Sequence, residues 1–378
     1  MNKKVIALAV AGALALPLAA KAQTANVTMY GSFRLALESV DIENVGRRNT
    51  IDSWSSRWGI RGIESLGGGL NGIFQLETGV NLDYPGGVVL DGGAVASQFI
   101  TIREAWAGLN GPFGTVKMGA GLTPYDDVFG MDHLLLANGL ENMNVVSGGV
   151  NPALGNNFTG FGSVGSTAGT GRTCNSTTAF DARYGNSVRY DSPNFSGLTF
   201  ATQFAFLGEN TAGYKCKGWD SMVKYLNGPI ELGLGYARHI DFSQYDGNAW
   251  RLHAGYDAGV IKVLGAYERI HLDGNNGSTG KSNTRYYSIG IQAPIGPGTL
   301  SAQYGNRDNG ATTSATAVTE VANGGAKQYS LSYKYGFSKR TYAYTWAARV
   351  KAESAATILG STPGGKATAL GFGVQHNF

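Results

Sequence analysis

The sequence predicts an all-β protein, a sixteen-stranded antiparallel transmembrane β-barrel with long loops at one rim and short turns at the other. Three observations carry this expectation. Apolar and polar residues alternate with a period of two in segment after segment; the connections between these segments alternate between short and long; and no stretch after the N-terminal segment is apolar and long enough for a spanning helix. A chain that enters a membrane without such a helix has to close its sheet.

The first element is an export signal. Lys3 and Lys4 precede an apolar run from Val5 to Ala20, and Ala20-Lys21-Ala22 has the small-x-small form of a cleavage site. The alternative, an N-terminal membrane helix, is weakened by the short run and by Pro17. Residues 1–22 are therefore read as a signal peptide and residues 23–378 as one barrel domain. Removing Lys3, Lys4 and Lys21 takes the basic count from 30 to 27 against 26 acidic residues, a balance that implies no nucleic-acid partner. The two cysteines, Cys174 and Cys216, form a disulfide in an oxidising compartment or stay as two thiols in loops, and both readings remain open. The 57 glycines and 10 prolines fit helical domains poorly, and no nucleotide fingerprint, metal-ligand spacing or cofactor motif is present.

The strands follow in order. In "NVTMYGSFRLALE", Val27, Met29, Phe33, Leu35 and Leu37 share one face, and Thr28, Tyr30, Ser32, Arg34 and Glu38 the other. In "WSSRWGIRG", Trp54, Trp58 and Ile60 oppose Arg57, Gly59 and Arg61. Trp250, Leu252, Ala254 and Tyr256 oppose Arg251, His253 and Asp257; Tyr329, Leu331, Tyr333 and Tyr335 oppose Gln328, Ser330, Ser332 and Lys334. The closing "ALGFGVQHNF" alternates to its last residue, as expected of a strand that pairs with the first to close a barrel.

Short turns are expected at 67–69, 110–114, 194–197, 227–229, 257–259, 294–298 and 336–339. Long loops are expected near 39–53, 83–97, 122–182, 208–218, 242–248, 272–283, 307–326 and 352–366. A soluble sandwich also alternates apolar and polar positions, but it does not require this loop rhythm or aromatics near strand ends.

Stretches spread over the mature chain, "SSRWGIRGIESLGGGLNGIFQLE", "REAWAGLNGPFGTVKMG", "GNSVRYDSPNFSGLTF", "YKYGFSKRTYAY" and "GFGVQHNF", resemble the general porins of Gram-negative outer membranes, closest to the β-proteobacterial branch. The resemblance implies a homotrimer in the bacterial outer membrane, with long extracellular loops, short periplasmic turns and a third loop folded into the lumen. It implies a water-filled channel for small hydrophilic solutes and ions. It also implies that Phe378 belongs to a signal read by the barrel-insertion machinery. Outer-membrane lipid and lipopolysaccharide are the expected neighbours. The chain departs from the pattern at Ala120, where the family usually carries Arg, and in the length of the loop at 122–182.

Parity places Arg34, Arg57, Arg61, Arg103, Lys117 and Arg189 on the lumen face, and Glu77 beside them. The resemblance assigns Arg57, Arg103 and Arg189 to the constriction; parity gives Arg34, Arg61 and Lys117 the face but not the depth. The third loop offers Asp126, Asp127 and Asp132 as the opposing acids. The surplus of strand cations predicts a weak to moderate anion preference. One alternative is a solute-specific channel for small anionic nutrients, and another is a plugged, non-conducting barrel. An enzyme is the remoter rival: His239 and His253 could approach each other near Asp241 or Asp257, but no activated nucleophile is visible.

Overall fold

The computed structural model describes residues 26–53, 56–82, 100–132, 134, 143, 180, 183–206, 216–242, 245–275, 277–313, 317–357 and 361–378. The expected signal peptide, Cys174 and most of the 122–182 loop lie outside these residues. The wall begins with β1 (Asn26–Ile42), β2 (Gly46–Asp52), β3 (Arg57–Gly67), β4 (Leu70–Val80), β5 (Ile100–Gly111), β6 (Gly114–Leu122), β7 (Arg183–Asp191), β8 (Leu198–Phe206) and β9 (Lys217–Asn227). It continues through β10 (Ile230–Phe242), β11 (Tyr245–Asp257), β12 (Lys262–Gly274), β13 (Lys281–Ile295) and β14 (Gly298–Arg307). After β14, a separate hairpin is formed by β15 (Gly310–Thr313) and β16 (Val318–Val321). The wall ends with β17 (Ala326–Gly336), β18 (Thr341–Ala352) and β19 (Lys366–Asn377).

All neighbours pair antiparallel, and β1 pairs with β3 over its first part and with β2 over its second. β2 and β3 therefore share one place in the wall, so seventeen paired strands make a barrel of sixteen positions. At the break between them, the Ser56 hydroxyl donates to the Arg34 carbonyl and accepts from the Arg34 N–H, both at 2.9 Å, replacing the lost ladder bonds.

β19 closes the barrel on β1, from Ser32 opposite Asn377 to Ile42 opposite Ala367. Gly31 and Phe378 exchange backbone hydrogen bonds at 3.0 and 3.1 Å, and the Phe378 ring meets Phe33 edge-on at 5.0 Å. The small residues of the last strand have a packing cause. A Cβ on Gly371 would stand 1.9 Å from the Trp346 ring, and one on Gly373 2.5 Å from the Tyr344 ring, because both rings lie across β19 from β18.

The polarity is inverted relative to a soluble protein. Leu35, Leu37, Leu252, Ile289, Leu331 and Phe372 are exposed on the outside, whereas Arg34, Glu38, Arg251, Glu268, Gln328 and Gln375 are buried within. No helix among the described residues is long and apolar enough to cross a membrane.

Two expected long loops prove to be largely strand. In place of a loop at 39–53, β1 and β2 form a hairpin turned at 43–45, with Asn44 (φ 61°) and Gly46 (φ 112°) in the left-handed region. In place of a loop at 242–248, β10 and β11 pair as far as Phe242 opposite Tyr245. The inner face is also less polar than expected: Tyr344, Trp346, Val350, Ala367 and Ala369 point inward, with Met143 of the third loop in the same buried cluster.

Replacing Phe378 with Ala removes the ring pair at the closure point, worth about 1 kcal/mol, and is expected to slow recovery of the folded, heat-modifiable form. Refolding followed by gel mobility checks this; wild-type kinetics would show that closure does not use the ring.

Candidate pore constriction

The third loop enters the lumen through one short helix, α1 (Pro124–Phe129). Thr123 caps it, its hydroxyl accepting from the Asp126 N–H at 3.3 Å, and Pro124 supplies a preset φ at the first turn. The helix lies against β9, β10 and β11. It can do so because β10 offers inward glycines: a Cβ on Gly233 would stand 2.8 Å from Met131 Sδ, and one on Gly235 3.2 Å from Tyr125 Cδ2.

A buried ion pair locks this seat. Arg251 and Glu268 lie 3.3 Å apart with side chains 0% and 1% exposed. Tyr125 Oη donates to Glu268 Oε1 at 2.5 Å, and the Arg251 guanidinium sits 4.5 Å over the Phe129 ring and 5.2 Å over the Tyr286 ring. Beside it, Tyr184 Oη donates to the buried Asp220 at 2.9 Å. A second tie comes from Arg189, which donates to Asp127 at 2.5 Å, to Asp191 at 2.6 Å and to the Leu122 carbonyl at 2.9 Å.

The opposing cluster centres on Glu77. Arg103 Nε donates to it at 2.8 Å, Arg57 Nε lies 3.6 Å away, and Tyr30 Oη donates at 3.2 Å. Arg34, buried, adds a further charge within reach of Arg57 and Arg103. A β-bulge makes this arrangement possible: Glu77 faces Glu104 and Thr78 faces Ile102, which leaves Arg103 as the extra residue. Consecutive residues Arg103 and Glu104 both carry charge into the site, Glu104 accepting from Gln75 at 2.9 Å and Trp106 at 3.0 Å.

The predicted residues thus divide. Arg34, Arg57, Arg103 and Glu77 come together. Arg189 is bound to two carboxylates and ties down the loop instead of presenting a free charge. Lys117 lies apart from the Glu77 cluster, 3.4 Å from Asp191 and 4.9 Å over the Trp106 ring. Arg61 lies 5.2 Å over the Tyr30 ring, about 13 Å along β3 from Arg57. Asp127 is consumed by Arg189, and Asp132 closes a short helical turn (Gly130–Asp132) with its side chain outside the description.

Sequence reasoning missed Glu104, which plain alternation assigns to the wrong face, and Arg183, which stands at the edge of the loop. Half-buried Asp126 feels both walls. Burial pushes its carboxyl up to about 6; Arg183 opposes this, Asp127 reinforces it, and Arg103 and Arg189 pull it back. The histidines do not meet: His239 is opposite Gly247, about 20 Å along β11 from His253, and its ring stacks on Phe180 at 4.2 Å.

A closed barrel with an inward helix facing an arginine wall defines a transmembrane channel with a charged constriction. The chain belongs to the Gram-negative porins: the family model matches residues 7–355. Outer membrane porin protein 32 of Delftia acidovorans is 29% identical over 402 residues, across 100% of both chains. The major outer membrane protein P.IB of Neisseria meningitidis serogroup A is 26% identical, again across 100% of both. The solved anion-selective porin from Comamonas acidovorans superposes with a TM-score of 0.71 at 25% identity, covering 94% of this chain and 100% of that one. The protein is thus an outer-membrane porin of the β-proteobacterial type.

Glu268→Gln removes the carboxylate charge 3.3 Å from buried Arg251 and weakens the seat that also holds Tyr125. The expected result in single-channel records is frequent excursions to higher conductance as α1 loosens; steady wild-type current would remove the pair from loop anchoring. As pH falls through about 6, Asp126 gains a proton and the constriction becomes more positive. Zero-current potentials should therefore be more anion-favouring at pH 5 than at pH 7, and this difference should be smaller in Asp126→Asn.

Proposed function

We propose that this porin passes small hydrophilic solutes and ions by diffusion with a weak to moderate preference for anions. The observation that carries the reading is the charge balance of the constriction among the described residues: Arg34, Arg57, Arg103 and Arg183 outnumber Glu77, Glu104 and half-buried Asp126. The near balance accounts for a weak preference: Glu77 and Glu104 stand on the wall beside the arginines, and Asp126 faces them from the loop, which leaves a modest field across the pore. The Comamonas acidovorans porin, itself anion-selective, agrees with this sign.

Three further features belong to this reading. A homotrimer is supported by the outer surface of β3 to β8, where the described outward residues of the long-loop half, among them Trp58, Leu76, Ile102, Met118, Val188 and Phe204, carry no charge. Such an apolar sector suits subunit contact as well as lipid. Buried Cys216 is disulfide-bonded, in keeping with the disulfide reading of the two cysteines, and Cys174 lies outside the described residues. Residues 1–22 are removed on export, and Phe378 serves in assembly by the insertion machinery.

Arg57→Ala and Arg103→Ala are each expected to shift the zero-current potential toward cations, reducing the anion-to-cation permeability ratio about twofold or more. Unchanged potentials in both variants would remove these residues from the selectivity-determining site.

A further inference from the structure

One side chain in the Glu77 cluster carries no charge. Tyr30, Gly59 and Glu77 stand directly opposite one another on β1, β3 and β4. Adjacent strands lie about 4.8 Å apart, so the backbones of Tyr30 and Glu77 are separated by about 10 Å. Tyr30 crosses that gap because the residue between has no side chain: a Cβ on Gly59 would stand 2.9 Å from both Cζ and Oη of the tyrosine. Its hydroxyl then donates to Glu77 Oε2 at 3.2 Å. A serine or threonine at this position is too short for the span, and a phenylalanine spans it without a donor. The ring also receives the Arg61 guanidinium, 5.2 Å from its centre.

The two oxygens of Glu77 are thereby used differently. Oε1 accepts from Arg103 Nε at 2.8 Å. Oε2 accepts from Tyr30, while Arg57 Nε stands 3.6 Å from the same oxygen, beyond hydrogen-bond range. The exposures follow this division, with the Arg57 side chain 31% exposed and that of Arg103 20%. A carboxylate as buried as Glu77 requires hydrogen-bond donors, because an unmet buried acceptor costs more than an average hydrogen bond gains. A neutral hydroxyl meets that requirement without consuming a cation.

We propose that Tyr30 is a positioning residue for ion selectivity: by occupying Oε2 of Glu77 it keeps Arg57 from closing into a hydrogen-bonded ion pair and leaves the Arg57 charge turned toward passing anions. Without the hydroxyl, Oε2 loses its neutral donor, and Arg57 has to move only about 0.7 Å to reach the length of a charge-assisted hydrogen bond. The number of charges in the constriction stays the same. What changes is how closely the carboxylate cancels the field of the more exposed arginine. The inference rests on the anion preference proposed above and assigns one hydroxyl a share in it.

The test measures zero-current potentials of the full purified protein in planar bilayers for Tyr30→Phe, Glu77→Gln and the double variant. Tyr30→Phe keeps the ring over Gly59 and against Arg61 and removes only the hydroxyl, so a role in packing alone leaves the potential where it is. The anion-to-cation permeability ratio is expected to fall about 1.5-fold or more in Tyr30→Phe and to rise in Glu77→Gln. The double variant is expected to match Glu77→Gln, because no carboxylate remains for Arg57 to close on. A ratio unchanged or raised in Tyr30→Phe, with Glu77→Gln still raising it, would overturn the role of Tyr30 and leave the charge balance of the constriction standing. A ratio unchanged in both single variants would overturn the two together. The same fall on adding Tyr30→Phe to Glu77→Gln as to the wild type would show that the hydroxyl acts by a route other than Glu77, and that too would overturn the proposal.

Discussion

A bilayer interior offers no water to backbone amides, so each N–H and C=O in the membrane has to be paired within the protein. Closure of the sheet meets that requirement, and nearly every other feature follows from it. The final strand has to reach the first in register, which fixes Phe378 against Gly31 and Phe33. The outward positions have to be apolar, and the polar residues are turned into the lumen, where arginine and glutamate can be held in wet, narrow surroundings. The break between β2 and β3 follows the same rule, since the Ser56 hydroxyl takes up backbone groups the ladder leaves behind.

A closed wall of this size encloses space, and the function of the pore depends on how that space is reduced. Here one side of the lumen is built to receive a helix. Gly233 and Gly235 clear the surface, Tyr125 and Phe129 fill it, and the Arg251–Glu268 pair sits beneath. Burying that pair is costly, and its return is positional: it defines where α1 stops and hence the width left beside Glu77 and its arginines. Arg189, shared between the loop acid Asp127 and the strand acid Asp191, fastens the approach to the helix in the same manner.

The sequence made the face of most strand residues readable, because a period of two is imposed by the pleat and the membrane sharpens the contrast between sides. The barrel class and most turns were legible for that reason. The length of the hairpins at β1–β2 and β10–β11 was not, since strands that extend past the membrane lose the apolar face that marks them. Nor was the fate of each charge. Arg189 and Arg57 look alike in sequence, yet one meets two carboxylates and the other shares one, a difference made by residues distant in the chain. Glu104 was hidden by a bulge, which breaks the alternation that the reading relies on. The inward Tyr344 and Trp346 lie in an aromatic strand where either face could be the lipid face, and only the glycines of β19 show which side receives them.

The central claim is that a slight excess of arginine over carboxylate, held at a fixed gap by α1, governs which ions pass. Its most direct test is the zero-current potential of the wild-type protein in a planar bilayer across a tenfold salt gradient, repeated at rising mean salt. The account predicts an anion-favouring sign that weakens as salt increases, because the Debye length of about 10 Å at 0.1 M shortens below the dimensions of the constriction. A cation-favouring sign, or a preference indifferent to salt, would contradict it.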